Sequence, residues 1–291
     1  MERNIYEFIT YLRDVKESSP NTIQAYQNDL KKLQLYLEKQ DITSVTKISE
    51  TSLNSYVLNL EKEGFSPASV SRNISSIKAF FLYLLKKGKI SKDPSERLKP
   101  PKVRRKTPET MDIDEMNLLL NQPDPKTPKG IRDRAMLELL YATGIKVTEL
   151  ISLKLSDINL KMKYITCEGK NERSIPFGRP AKEALEEYLA IRQKAFNKQS
   201  SNILFLNTSG EQLSRQGFWK IIKGYAEAAG MEGVNPNRIR QTFAIHLLDN
   251  GADLESVREF LGHNDIMSTQ QYLTKNHKNS REVYQKTHPR A

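Results

Sequence analysis

Between residues 93 and 110 the chain reads DPSERLKPPKVRRKTPET. Pro94, Pro100, Pro101 and Pro108 stand there beside Lys102, Arg104, Arg105 and Lys106. Proline has no amide donor and its ring clashes with the preceding helical turn, so no helix runs through the Pro-Pro pair. The segment reads as an extended, stiff and basic connector. A connector of this kind obliges the flanking stretches to fold separately. With 291 residues the chain is long for one core and sufficient for two. The expected division is a first domain over 1–92, the connector over 93–110, a second domain over 111–278 and a C-terminal tail over 279–291.

Before the connector the pattern is helix after helix. Ile5, Phe8, Ile9 and Leu12 recur at helical spacing, as do Tyr26, Leu30, Leu33 and Leu37. SPNTIQAYQNDLKKLQLYLEK opens on Ser19, Pro20 and Asn21, which suit a helix start. SETSLNSYVLNLEKEG begins at a hydroxyl cap and stops near Gly64, and SPASVSRNISSIKAFFLYLLKKG repeats the format up to Gly88. No β pattern interrupts them, so a bundle of four or more helices is expected. After the connector, DIDEMNLLLNQ, IRDRAMLELLYATG and KVTELISLKLSDI also read as helices. MKYITCEGKNERSIPFG alternates around a polar turn at Glu168 to Glu172, a hairpin signature, and NILFLNTSGEQLS offers a short third strand. From Gln216 to Tyr272 the pattern is helical again, broken at Gly230–Pro236, Gly251 and Gly262. Trp219 and Phe218 read as core residues. The fold class expected is mainly α with one small antiparallel sheet.

Hydrophobic residues make up 37% and charged residues 28%, the balance of a folded, soluble chain. A net charge of +11 points to a polyanion, most often nucleic acid. Lys86, Lys87 and Lys89, with Lys102, Arg104, Arg105 and Lys106 of the connector, are the candidate phosphate contacts. One cysteine, Cys167, excludes a disulfide framework and a cysteine-built zinc site. His246, His263, His277 and His288 are too scattered for a metal motif, so neither metal nor cofactor is expected. The N-terminus lacks the apolar core of a signal peptide, and no run approaches the ~18 apolar residues of a membrane span. A reducing, cytosolic setting is therefore expected. In LGHNDIMSTQQY, His263 precedes Tyr272 in a run of small polar residues. Spacing by itself does not separate a reactive tyrosine there from a structural one.

Three segments resemble, in order, one family. YATGIKVTELISLKLSDI is similar to the first arginine box of the tyrosine recombinases, also called phage-integrase-type recombinases. NPNRIRQTFAIHLLDNGADLESVREFLGHNDIMSTQQY resembles their second box, including its glycine turns and final tyrosine, and YQKTHPRA resembles the tail of the Xer branch, which resolves chromosome dimers. The resemblance implies a SAM-like, helical core-binding domain and an α-rich catalytic domain that close as a C-shaped clamp on double-stranded DNA. It also implies a tail that docks on a neighbouring protomer, in a homo-tetramer or a hetero-tetramer with another recombinase on paired DNA sites.

The family's reaction places a tyrosine oxygen on a DNA phosphodiester, forming a 3′-phosphotyrosyl bond and freeing a 5′ hydroxyl; another hydroxyl then reverses the step. Two arginines clamp the phosphate oxygens, a lysine in the hairpin turn protonates the leaving oxygen, and histidines hold or shuttle protons. By resemblance Tyr272 stands at the nucleophile's position, Arg240 at the second arginine and His263 at the histidine of the Leu-Gly-His turn. Lys146 stands in place of the first arginine, keeping a charge but losing the bidentate fork. Asn237 stands in place of a histidine and cannot exchange a proton near neutral pH. Gln241 replaces a further histidine of the Xer branch. Aligned without gaps, the turn lysine's position falls on Glu168; a one-residue slip brings in Lys170. Arg134 and Arg238 lie nearby in sequence and read as surface or backbone-contacting arginines, and His246 reads as a packing or surface histidine. Two readings follow: a recombinase that cleaves with Tyr272, or a relative that binds DNA as an accessory or regulator without cutting.

Overall fold

The computed structural model describes residues 1–102, 109–168, 172–196, 201–263, 267–270 and 272. Arg104, Arg105, Lys106, Lys170, His277, His288 and the C-terminal tail lie outside the described residues. The chain divides into two compact units, Met1–Arg105 and Lys106–Ala291.

In the first unit, helices α1 (Glu2–Asp14), α2 (Pro20–Glu38), α3 (Glu50–Lys62) and α4 (Pro67–Lys86) form the expected bundle. Each of the last three starts on a serine whose side chain takes an otherwise orphaned amide: Ser19 from Thr22, Ser49 from Ser52 and Ser66 from Ser69. Their apolar stripes meet in a core built on Phe8, Leu30, Leu33, Leu53, Phe80 and Phe81. Among these apolar groups sits a carboxylate, Asp29, fully buried. It accepts two bonds from the Arg72 guanidinium (3.0 and 2.8 Å), one from Asn73 (3.1 Å) and one from Ser76 (3.0 Å), so α2 and α4 are joined by a satisfied polar network. Leu98, from the start of the proline-rich segment, is buried in this same core.

The second unit comprises α5 (Ile113–Leu120), α6 (Pro128–Thr143), α7 (Val147–Ser152), a three-stranded antiparallel sheet, α8 (Arg179–Ala195), α9 (Arg215–Ala228), α10 (Pro236–Asp249), α11 (Leu254–Leu261) and α12 (Met267–Gln270). Strands β2 (Tyr164–Cys167) and β3 (Arg173–Pro176) form the expected hairpin, in register Cys167 opposite Arg173.

Three expectations fail here. KVTELISLKLSDI is not one helix: α7 stops at Ser152, a 3-10 turn covers Leu155–Asp157, and β1 takes Ile158–Asn159. The chain is drawn out of the helix by distant backbone, since the Leu155 amide donates to Asn202 and the Leu204 amide to Leu153. The third strand is β1 rather than the stretch around Leu204–Phe205; near that stretch occur only isolated bridges, Lys154 to Ile203 and Leu206 to Gln212. Trp219 is also misjudged as core: Phe218 is fully buried but Trp219 is 46% exposed. At 3.6 residues per turn, adjacent helical side chains point about 100° apart, and only Phe218 faces inward. No helix among the described residues is long and apolar enough to cross a membrane.

Candidate active site

Two helix ends make the centre of the site. Helix α6 closes on Gly144, in the left-handed conformation (φ +58°), and a Cβ there would stand 2.1 Å from the Phe243 ring. Helix α11 closes on Gly262 (φ +59°), where a Cβ would stand 2.7 Å from the Arg173 guanidinium carbon. Glycine at both positions lets the chain turn while α10 and β3 approach closely. The carbonyls near these ends carry the partial negative charge of the helix C-terminus and need donors. Arg240, on the buried face of α10, supplies them: its guanidinium donates to the Gly144 and Leu261 carbonyls. The side chain is 7% exposed, and burial pulls its basicity down against the favourable fields of Glu149 and Tyr272.

Arg240 also donates to His263 Nε2 at 3.2 Å. On the other side of the ring, Nδ1 lies 2.9 Å from the Thr269 hydroxyl oxygen. Burial first, and then the neighbouring cations Arg240, Lys146, Arg173 and Arg258, lower the His263 pKa to about 4. The imidazole is therefore neutral near pH 7. Tyr272 is buried against Phe243, Leu248, Val257 and Leu261, and its amide donates to the Thr269 carbonyl at 3.0 Å.

Around this centre stands a second layer. Arg173 makes a two-bond fork to Glu149 (3.0 and 2.9 Å), and its Nε donates to the Phe260 carbonyl (2.8 Å), tying β3 to α7 and α11. Burial would raise the Glu149 pKa, but the Arg173 bonds and the Lys146 amide outweigh it and hold the carboxyl below its usual range. Lys146 is the residue before α7; its amide donates to Glu149 Oε2 at 2.7 Å, and its side chain is exposed. Asn237 is exposed on the first turn of α10, one turn ahead of Arg240 and on the same face. Glu168, at the end of β2, is exposed and receives the Lys154 ammonium at 2.6 Å. Cys167 beside it is buried, its thiol pushed up to about 11 by burial, which leaves it unreactive near pH 7.

Other residues singled out from sequence stand apart from this centre. His246 is half-buried, its Nδ1 2.7 Å from the Tyr141 hydroxyl and its Nε2 3.0 Å from the Met111 carbonyl, so it fastens α10 to the chain entering the second unit. Arg238 donates to the Glu232 carbonyl (2.7 Å) and toward Thr110 (3.5 Å). Lys86, Lys87 and Lys102 are exposed, whereas Lys89 is engaged with Glu7 and with Asn4 at 2.8 Å.

Three features escaped the sequence reading. The Glu149–Arg173 pair joins residues far apart in the chain; its only local sign is the carboxylate three residues after Lys146, a helix-capping spacing. Thr269 looked like one more small polar residue. In the first unit, Asn21, Gln24, Asn28, Lys31, Lys32 and Arg72 line a basic groove between α2 and α4. The α2 residues recur at helical spacing in the sequence, but only the pairing of α2 with α4 brings Arg72 to them.

The phage integrase family model matches residues 109–279, and that of the phage integrase N-terminal SAM-like domain matches residues 5–88. A tyrosine recombinase XerD of Listeria innocua is 42% identical over 293 residues, covering 99% of each chain. A tyrosine recombinase XerD of Staphylococcus haemolyticus is 41% identical, with 100% of both chains covered. Among solved structures, the XerH site-specific recombinase bound to a palindromic difH substrate, a post-cleavage complex, matches with a TM-score of 0.75 at 20% identity, over 97% of this chain and 88% of that one. The chain belongs to the phage integrase family, the tyrosine recombinases, and within it is Xer-like.

Proposed function

We propose that the chain is a site-specific recombinase that binds duplex DNA and breaks and rejoins strands through Tyr272. The observation that carries this reading is the convergence of Arg240 on α10 with His263 and Tyr272, which follow α11 and α12, in one largely buried centre surrounded by cations. An arginine held by two helix ends is preorganised for the charge that gathers on a phosphorane. In the cleavage step the Tyr272 oxygen bonds to phosphorus and the bond from phosphorus to the 5′ oxygen breaks. The phenol proton passes to an acceptor, a role that suits the neutral His263 once Arg240 turns from Nε2 to the phosphate, and the departing 5′ oxygen takes a proton from a cationic side chain, with Lys170 as the candidate. The phosphotyrosyl bond conserves the energy of the strand, so the reaction needs no nucleotide or metal.

Lys146 brings one charge near the phosphate without the paired hydrogen bonds of an arginine, and Asn237 supplies a donor without a transferable proton. Each such weakening is worth on the order of 10²–10³ in rate, so the enzyme is slow. The connector 93–110 and the exposed Lys86, Lys87 and Lys102 contact phosphates, as does the α2–α4 groove, and the two units grip the duplex as a clamp. Assembly is a tetramer on paired sites in the cytoplasm, of this chain alone or with a second recombinase, with residues 279–291 docking between protomers.

The test is covalent trapping: rapid denaturation of cells, stringent purification, and sequencing of any DNA that remains attached, with Tyr272→Phe as the control. DNA attached to the wild type alone supports cleavage and identifies the site. DNA recovered by crosslinking but never covalently attached would replace this reading with that of a non-cutting DNA-binding relative.

A further inference from the structure

Resting on the reading of Tyr272 as nucleophile, we propose that Thr269 is a positioning residue that couples the seating of the tyrosine segment to the tautomer and orientation of His263. A guanidinium can only donate, so the Arg240 contact at 3.2 Å requires Nε2 of His263 to carry a lone pair. The proton of the neutral ring then resides on Nδ1, which donates to the Thr269 hydroxyl oxygen at 2.9 Å. Thr269 is fully buried on α12, and its carbonyl accepts the Tyr272 amide at 3.0 Å. One residue thus holds the tyrosine through its backbone and the histidine through its side chain.

The consequence is conditional assembly. With α12 seated, the imidazole is locked with its accepting nitrogen toward the phosphate-binding arginine. With α12 withdrawn, Nδ1 loses its partner and the ring is free to turn, so the ring is held against Arg240 only when the nucleophile is present. Among the described residues, the charged groups acting on the ring are Arg240 from α10, Lys146 before α7, Arg173 from β3 and Arg258 from α11, all cationic and all opposing protonation. Glu149 on α7 acts on Arg240 and Arg173 and counters part of that charge.

The experiment is nitrogen-15 NMR of the full chain labelled at its four histidines, with His263→Gln to assign the resonance. In the wild type His263 stays neutral and protonated on Nδ1 through the range near pH ~6.5 where an ordinary imidazole titrates. Thr269→Val removes the hydroxyl at nearly constant volume. With the ring no longer held against Arg240, it should convert His263 to the Nε2-protonated or a mixed tautomer, while Thr269→Ser keeps the wild-type pattern. Thr269→Ala accompanies it, so that misfolding of one variant leaves the other to decide. On the trapped DNA site, adduct formation by Thr269→Val should fall by about 10²-fold with DNA binding unchanged. A wild-type tautomer in a folded Thr269→Val or Thr269→Ala would overturn the proposal. A wild type that forms no adduct refutes the cleavage reading instead, and the tautomer still decides the role of Thr269.

Discussion

Arg240 stands where α6 and α11 end, and its guanidinium serves the Gly144 and Leu261 carbonyls before any ligand arrives. Lys146 and Asn237 have no comparable preorganisation, for both side chains are exposed. Restoring the fork and the proton carrier with Lys146→Arg plus Asn237→His should raise covalent adduct formation by about 10²-fold or more, and an unchanged yield would show that neither position limits the rate. His263 makes a separate prediction. Its pKa is about 4 in the folded chain against ~6.5 for an unperturbed imidazole, so between those values the unfolded chain binds more protons than the folded one. Stability contributed by the neutral ring is complete above ~6.5 and is lost as pH falls toward 4. Denaturant midpoints across that window should decline more steeply in the wild type than in His263→Gln; parallel curves would sink the assignment.

Buried ionic networks join elements within each unit, among them Asp29 with Arg72 in the first and Glu149 with Arg173 in the second. In the second unit Arg173 is 5% exposed at its side chain, so removing its partner strands a buried cation. Glu149→Ala should cost about 3 kcal/mol, seen as faster hydrogen exchange in α7, β3 and α11. Because the Glu149 carboxyl is held below its usual range, the pair's contribution is present above the unfolded value of ~4.3 and fades as pH drops below it. In the first unit Asp29→Ala leaves Arg72, Asn73 and Ser76 without their shared acceptor. Exchange in α2 and α4 should rise by the equivalent of about 3 kcal/mol while α5 to α11 are unchanged. Uniform acceleration across both units would contradict their independence.

At the scale of the whole molecule the net charge of +11 and the lysine- and arginine-rich connector set the expectation for DNA binding. Affinity should fall steeply and linearly on a logarithmic salt scale, because each phosphate contact releases counterions; a flat salt dependence would remove the phosphate-gripping role. Deleting residues from Asn279 onward should leave binding to a single site intact and abolish assembly across paired sites. Band-shift measurements on single and paired sites check both, and unchanged assembly would free the tail of its docking role.

The amino-acid sequence alone determined the features that depend on short windows. Hydroxyl caps and apolar stripes defined α2, α3 and α4, and alternation around Glu168–Glu172 marked the β2–β3 hairpin. The positions of Lys146, Asn237, Arg240, His263 and Tyr272 entered only through the resemblance to the recombinase boxes, since their spacing alone assigns them no role. Tertiary structure decided whatever depends on a partner distant in sequence. Asn202 and Leu204 draw Leu153–Leu155 out of a helix that local propensity favours, and α9 turns Trp219 outward although its neighbour Phe218 is core. The carboxylate of Asp29, hidden in a stripe read as apolar, has a place only because α4 brings Arg72, Asn73 and Ser76 to it. The protonation of His263 belongs to the same class. A histidine's neighbours in sequence say nothing of a guanidinium on one nitrogen and a threonine on the other, and those two contacts set which nitrogen bears the proton.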